Sequence, residues 1–289
     1  MRRVTRTVSF VWPTAITEKD LAKSGKGTLA LCEGYPSHVH PMNISVITAT
    51  RNRKHYLAAA IKSVQNSVLA PLTDVVFEHI VYDDASEDGT PEFFKKIGLT
   101  NVKYFRSEKQ RGQSVSRNEA IKHASGEYIF ILDDDDVILQ RTLYNFARGA
   151  LAHPSTRWFV TDFLRVDEEL RYQLNDDYYG WEFDDPQQML RSIFKGEHFI
   201  QNNVLFSKQL FDEVNGFEEK REIAEDLDLY IRFLFAGAQP LHMPFISHLH
   251  RYHHTNLSRG ITAEHHRQSI AELRRKYGKE IESYPFLRG

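Results

Sequence analysis

From Asn43 onward the chain alternates short β-branched, apolar runs with stretches of helical period, and that rhythm leaves few folds open. Residues 43–49 (NISVITA) predict a buried strand. Residues 54–68 put Tyr56, Leu57, Ala60, Ile61 and Val64 on one helical face. Strands are predicted at 75–82, 101–106 and 127–132, and helices at 90–97 and 113–124, with Pro91 near the start of the first and Gly126 after the second. Strand and helix in turn at this spacing argue a parallel α/β sheet with right-handed crossovers. Beyond it the pattern loosens. Helices are predicted at 140–152, 225–236 and 262–277, strands at 157–164 and 202–206, and an acidic, aromatic loop at 175–186.

Composition serves mainly to exclude. With 37 basic and 39 acidic residues the net charge is −2, which gives no pull toward nucleic acid. A single cysteine, Cys32, excludes an internal disulfide framework and a CxxC zinc site. No apolar run reaches the roughly 18 residues of a spanning helix. The run after Arg2 and Arg3 is short and broken by Pro13, so no signal peptide is read and a cytoplasmic location is expected. Residues 1–42 hold six basic and three acidic residues and keep no period, and they are read as an N-terminal extension. Residues 43–258 form the main domain and 259–289 a C-terminal helical segment. Residues 248–289 carry eight basic and four acidic residues, so both ends are basic. Peripheral contact with a membrane surface suits that charge, and so does a solvated surface.

In an open parallel sheet, ligands bind beyond the carboxyl ends of the strands. There the sequence places Thr50-Arg51-Asn52-Arg53, Asp83-Asp84 and Asp133-Asp134-Asp135-Asp136. Four successive aspartates in a cleft repel one another, and a divalent cation relieves that repulsion. All-oxygen ligation favours Mg²⁺ or Mn²⁺, commonly shared with substrate phosphates. An exposed acidic turn capping the next helix is the plainer alternative. A capped turn also accounts for Ser86, Asp88 and Gly89, but not for Asp83 and Asp84, where a carboxylate can accept the imide N–H of a uracil-type base. Neither a phosphate loop nor a Gly-x-Gly-x-x-Gly turn is present. Phosphates would then be held by metal, with Arg51, Arg53, Arg111 and Arg117 at hand.

Six ordered pieces carry a family resemblance. They are NISVITATRN (43–52), HIVYDDASEDGT (79–90), GQSVSRNEAI (112–121), EYIFILDDDD (127–136), EDLDL (225–229) and RYHHTNLS (251–258). Together they resemble the family 2 glycosyltransferases, which implies a GT-A fold. The same likeness implies inverting, metal-dependent transfer of a sugar from a nucleoside diphosphate sugar. It implies that Asp84 contacts the base, with Thr50 and Arg51 lining that pocket. Asp133 and Asp134 are expected near the ribose and metal, Asp135 as principal metal ligand, and Asp226 as general base. His253 is a further candidate for a metal or diphosphate contact, with His254 beside it. Arg51 stands where the family usually has tyrosine, Ala49 where proline is usual, and Gln140 replaces a common proline.

The leaving diphosphate needs a cation, and the acceptor hydroxyl needs a base facing it across the sugar. Asp226 could instead cap an apolar helix, and Glu225 and Asp228 compete for its role. Asp83 and Asp84 favour a UDP-sugar donor. The acceptor is expected to be a glycan or a lipid-linked sugar, with Tyr178, Tyr179, Trp181 and Phe183 as stacking candidates and His198, Gln201 and Asn202 as polar ones. A sugar-nucleotidyltransferase and a non-catalytic sugar-nucleotide-binding scaffold remain as alternatives.

Overall fold

The computed structural model describes residues 41–174, 180, 182, 183, 185–196, 200–221, 223–254, 256 and 263–283. The extension before Pro41, the loop residues Tyr178, Tyr179 and Trp181, and His198 and Ser258 lie outside the described residues.

The alternating half folds as its pattern predicts. In chain order come β1 (Met42–Thr50), α1 (Lys54–Gln65), β2 (Val75–Asp83), α2 (Thr90–Ile97), β3 (Val102–Arg106), α3 (Gln113–Lys122) and β4 (Tyr128–Ile131). The expected face of α1 is the one buried, Tyr56, Leu57, Ala60, Ile61 and Val64. Strands β3, β2, β1 and β4 lie side by side and parallel. In this register Thr50 stands beside Asp83, so the chemically loaded strand ends share one edge of the sheet.

The second half adds β5 (Val137–Ile138), α4 (Thr142–Ala152), β6 (Trp158–Val166), α5 (Pro186–Lys195), β7 (Val204–Ser207), α6 (Lys208–Glu213), α7 (Glu225–Phe235), β8 (Leu241–Arg251), α8 (Ala263–Lys276) and α9 (Gly278–Ser283). The sheet continues in the order β4, β7, β6, β8, β5. Strand β7 runs antiparallel to β4 and β6, and β5 antiparallel to β8, while β6 and β8 are parallel. The result is the mostly parallel sheet with flanking helices that the resemblance implies.

Strand β8 is absent from the sequence reading, for a physical reason. It holds Pro244 and three histidines, which spoil an apolar signal. Its register with β6 jumps from Thr161–Met243 to Asp162–Ile246. The skipped Pro244 and Phe245 form a bulge, where a missing N–H costs the ladder nothing.

Two apolar layers sandwich the sheet. One gathers Trp158, Met189, Leu190, Phe206 and Phe233, and the other Ile44, Val46, Phe130, Phe146 and Leu205. Close packing reaches Gly126, where an added Cβ would meet Ser45 Oγ at 2.5 Å, Ser45 N at 2.7 Å and Asn43 O at 2.9 Å. Two of those atoms are β1 backbone and cannot step aside. Gly126→Ala is therefore expected to cost about 1–3 kcal/mol, the usual penalty of overpacking. Urea unfolding checks this, and an unchanged midpoint contradicts it.

Candidate active site

The carboxyl ends of β1, β2 and β4, the segment before β7 and the first turn of α7 enclose a cavity of about 510 Å³. Thr50, Arg51, Asp84, Asp133, Asp134, Asp135 and Asp226 all line it. Arg117 and His253 are not among its lining residues.

At the end of β2 the two aspartates divide the work. Asp83 is fully buried and accepts from Ser86 N (2.8 Å) and the Tyr104 hydroxyl (2.5 Å), which shapes the following turn. Asp84 reaches the cavity, and its two oxygens accept the backbone N–H groups of Arg111 (2.7 Å) and Gly112 (2.9 Å). It thus hangs the 111–112 loop on the cavity rim, leaving spare lone pairs for a ligand. Arg51 is exposed at the same rim.

The acidic turn after β4 is threaded with cations. Arg53 Nη1 donates to Asp135 Oδ2 (2.7 Å) and Asp134 Oδ1 (3.1 Å), and Thr50 Oγ1 donates to Asp134 Oδ2 (2.7 Å). His253 Nε2 lies 2.9 Å from Asp135 Oδ2 and orients that carboxylate from behind. His254 pairs instead with Glu168 at 3.4 Å, on the surface. Burial, then the charge of Asp135, pushes the Asp134 carboxyl up to about 7. Burial also raises Asp135, against the hydrogen bond from His253. Asp133 is held below the carboxylate range, because Arg117 outweighs its burial.

Arg117 is 1% exposed and works behind the cavity wall. Its Nη2 meets Asp133 Oδ1 at 2.6 Å and its Nη1 meets Glu225 Oε1 at 2.8 Å, above the Phe217 ring. One guanidinium therefore links the acidic turn to the first turn of α7. That helix begins after Ala224, whose φ of +58° costs roughly 1–2 kcal/mol for a residue with a Cβ. The bend carries Glu225 and Asp226 to the cavity. Asp226 Oδ1 accepts Leu227 N (2.8 Å), and burial together with the charge of Glu225 pushes its carboxyl up to about 7. Asp228 turns away: it is fully buried and accepts from Arg232, Lys276 and Tyr277, tying α8 to α7.

One carboxylate oxygen from each of Asp133, Asp135 and Asp136 falls within a 4.8 Å span. Crowded, largely buried oxygen donors fit a hard divalent cation, which would relieve the mutual repulsion that adds to burial in raising Asp134 and Asp135. From the sequence Arg53 is only an accessory cation, Asp136 only a member of the acidic cluster, and His250 has no assigned part. Arg53 carried a signal in its place beyond β1. His250 carried none, because β8 was unread.

Comparison with known proteins bears on the family and the fold. A family model described as Glycosyl transferase family 2 matches residues 45–214. The GalNAc(5)-diNAcBac-PP-undecaprenol beta-1,3-glucosyltransferase of Campylobacter jejuni is 31% identical over 186 residues, covering 61% of this chain and 57% of the relative. The chain thus spans little more than half of that relative's length. The crystal structure of S. aureus TarS 1–349 in complex with UDP-GlcNAc is similar with a TM-score of 0.66 at 21% identity, over 83% of this chain and 66% of that one. The mannosyltransferase PcManGT from Pyrobaculum calidifontis, in complex with GDP-Man and Mn²⁺, is similar with a TM-score of 0.55 at 17% identity, over 82% and 65%.

Proposed function

The chain belongs to glycosyl transferase family 2, and from that premise we propose that it transfers a sugar from a UDP-sugar to a hydroxyl of a lipid-linked or glycan acceptor, with inversion. One observation carries the reading: the acidic turn Asp133–Asp135 and the carboxylate of Asp226 line the same cavity from different elements. A donor's diphosphate faces the first and an acceptor hydroxyl approaches the second, with the anomeric carbon between them.

In this reading Asp133 and Asp135 would hold Mn²⁺ or Mg²⁺, which would offset the charge developing on the departing diphosphate. Arg53, paired with Asp134 and Asp135 at the cavity, would supply a cation beside the phosphates. Asp84 and Arg51 keep the base at the rim, and Thr50 holds Asp134 toward the ribose. Asp226, ionised, takes the proton of the attacking hydroxyl on the face opposite the leaving group, so an α-linked donor yields a β-linked product. The UDP-GlcNAc in the TarS complex and the polyprenyl diphosphate acceptor in the C. jejuni relative's name support the donor and acceptor classes. Among the described residues no helix is long and apolar enough to cross a membrane. A lipid-linked acceptor would be met by peripheral association at the cytoplasmic face.

Two measurements test the donor site. Calorimetric titration should give tighter binding of UDP than of GDP in the presence of Mn²⁺, and the reverse order rejects the uracil pocket. Asp135→Ala should abolish the Mn²⁺-dependent part of UDP binding. Turnover that survives EDTA unchanged rejects the metal.

A further inference from the structure

Beneath the acidic turn, β8 brings two imidazoles to Asp136. His250 Nδ1 lies 3.4 Å and His248 Nε2 3.6 Å from Asp136 Oδ2. One ligand atom from each of the three residues falls within a common 4.8 Å span. Both separations exceed the range of a good hydrogen bond. They match the spacing of neighbouring ligands around a tetrahedral ion, which is roughly 3.4 Å for bonds of about 2.1 Å.

We propose that Asp136, His248 and His250 form a second metal site, for one Zn²⁺ ion, distinct from the donor-site cation and serving to clamp β8 to the acidic turn. The surrounding bonds prepare each ligand atom. Asp136 Oδ1 accepts Arg251 N at 2.8 Å, which leaves Oδ2 facing the imidazoles. His248 Nδ1 meets Ser247 Oγ at 2.9 Å, the kind of outer contact that orients a metal-bound imidazole and presents Nε2. Asp136 and His248 are buried, while His250 lines the donor cavity and marks the way in.

The donor set also narrows which ion fits. Two imidazoles with one carboxylate suit zinc, whereas an all-oxygen set suits Mg²⁺ or Mn²⁺. Asp136 can serve both groups, since its carboxylate also stands within reach of Asp133 and Asp135. Pairing of Val137 with Leu249 and of Ile138 with His248 already lays β8 along the residues after Asp136. An ion there would fix that pairing and, through it, the position of the neighbouring Asp135.

The proposal does not depend on the transfer reading, and its test is independent of turnover. The full chain, freed of metal by chelation, is dialysed against Zn²⁺, and bound metal is counted by mass spectrometry. Co²⁺ serves as the spectroscopic probe, because tetrahedral Co²⁺ absorbs intensely in the visible and octahedral Co²⁺ weakly. The wild type should retain one Zn²⁺ and show the intense Co²⁺ bands. Asp135→Asn should keep both, and His250→Ala and His248→Gln should each weaken binding by roughly tenfold or more. Zn²⁺ should raise the melting temperature of the wild type and leave that of His250→Ala unchanged. Circular dichroism of the metal-free variants separates lost ligation from lost folding. A wild type that binds no Zn²⁺, or binding that survives in both histidine variants, overturns the proposal. Failure of UDP and Mn²⁺ binding alongside normal Zn²⁺ uptake rejects the transfer reading and leaves this site standing.

Discussion

Asp226→Asn is expected to lose sugar transfer by roughly 10²–10⁴-fold, the usual worth of general base catalysis. UDP and metal binding should persist, because Asp133–Asp135 and Asp84, the proposed donor contacts, line the cavity from the ends of other strands. The amide keeps the shape and the acceptor oxygen that bonds Leu227 N. It cannot take a proton. Were Asp226 only a helix-terminal cap, Asn would replace it almost without cost, since the two cap about equally well. The wild-type rate carries a second signature. Burial and Glu225 push the Asp226 carboxyl up to about 7, and only its ionised form can accept the hydroxyl proton. Turnover at saturating donor should therefore rise with pH through about 7 and level off above it. A rate already flat from pH 5 to 8 contradicts this role.

Arg117→Met is expected to destabilise the fold by about 3 kcal/mol, the low end of the cost of removing one partner from a buried ion pair. The low end applies because Asp133 and Glu225 both line the cavity, where water can partly solvate the orphaned charges. The melting temperature should fall by roughly 10 °C at about 2–4 °C per kcal/mol. The methionine preserves most of the packing over Phe217, so the loss reads the charge rather than a void. If Arg117 instead held the donor's phosphates, UDP affinity would drop and stability would stay. Thermal unfolding and UDP titration on one sample separate the two roles. The buried bridge between Asp133 and Glu225 favours the structural outcome.

The parallel half of the sheet was legible because its strands are largely apolar runs and α1 shows one apolar face. Each period reports local geometry directly. The same reading set the acidic and basic clusters at strand ends, and the register of β1 with β2 and β4 does gather them. Helix α5 was legible but unread: Asp185 caps it through Gln188 N, Pro186 opens it, and Gly196 closes it at φ +72°. Strand β8 was not legible, since a proline, a bulge and three histidines mask its period. The division of labour among the carboxylates was hidden as well. The spacing of Asp83 and Asp84 looks symmetrical, yet one shapes a turn and the other faces the cavity. Only their tertiary partners decide that. Arg117 illustrates the same point: a helix-face arginine in the sequence becomes an enclosed cation once Glu225, from the first turn of α7, and Asp133 reach it.

The most direct test of the account is product analysis after incubating the full chain with UDP-sugars, Mn²⁺ and a polyprenyl diphosphate-linked acceptor. The expected result is release of UDP and an acceptor extended through a β-linkage from an α-linked donor, both lost in Asp226→Asn. Release of pyrophosphate, or retention of the donor's anomeric configuration in the product, would contradict it.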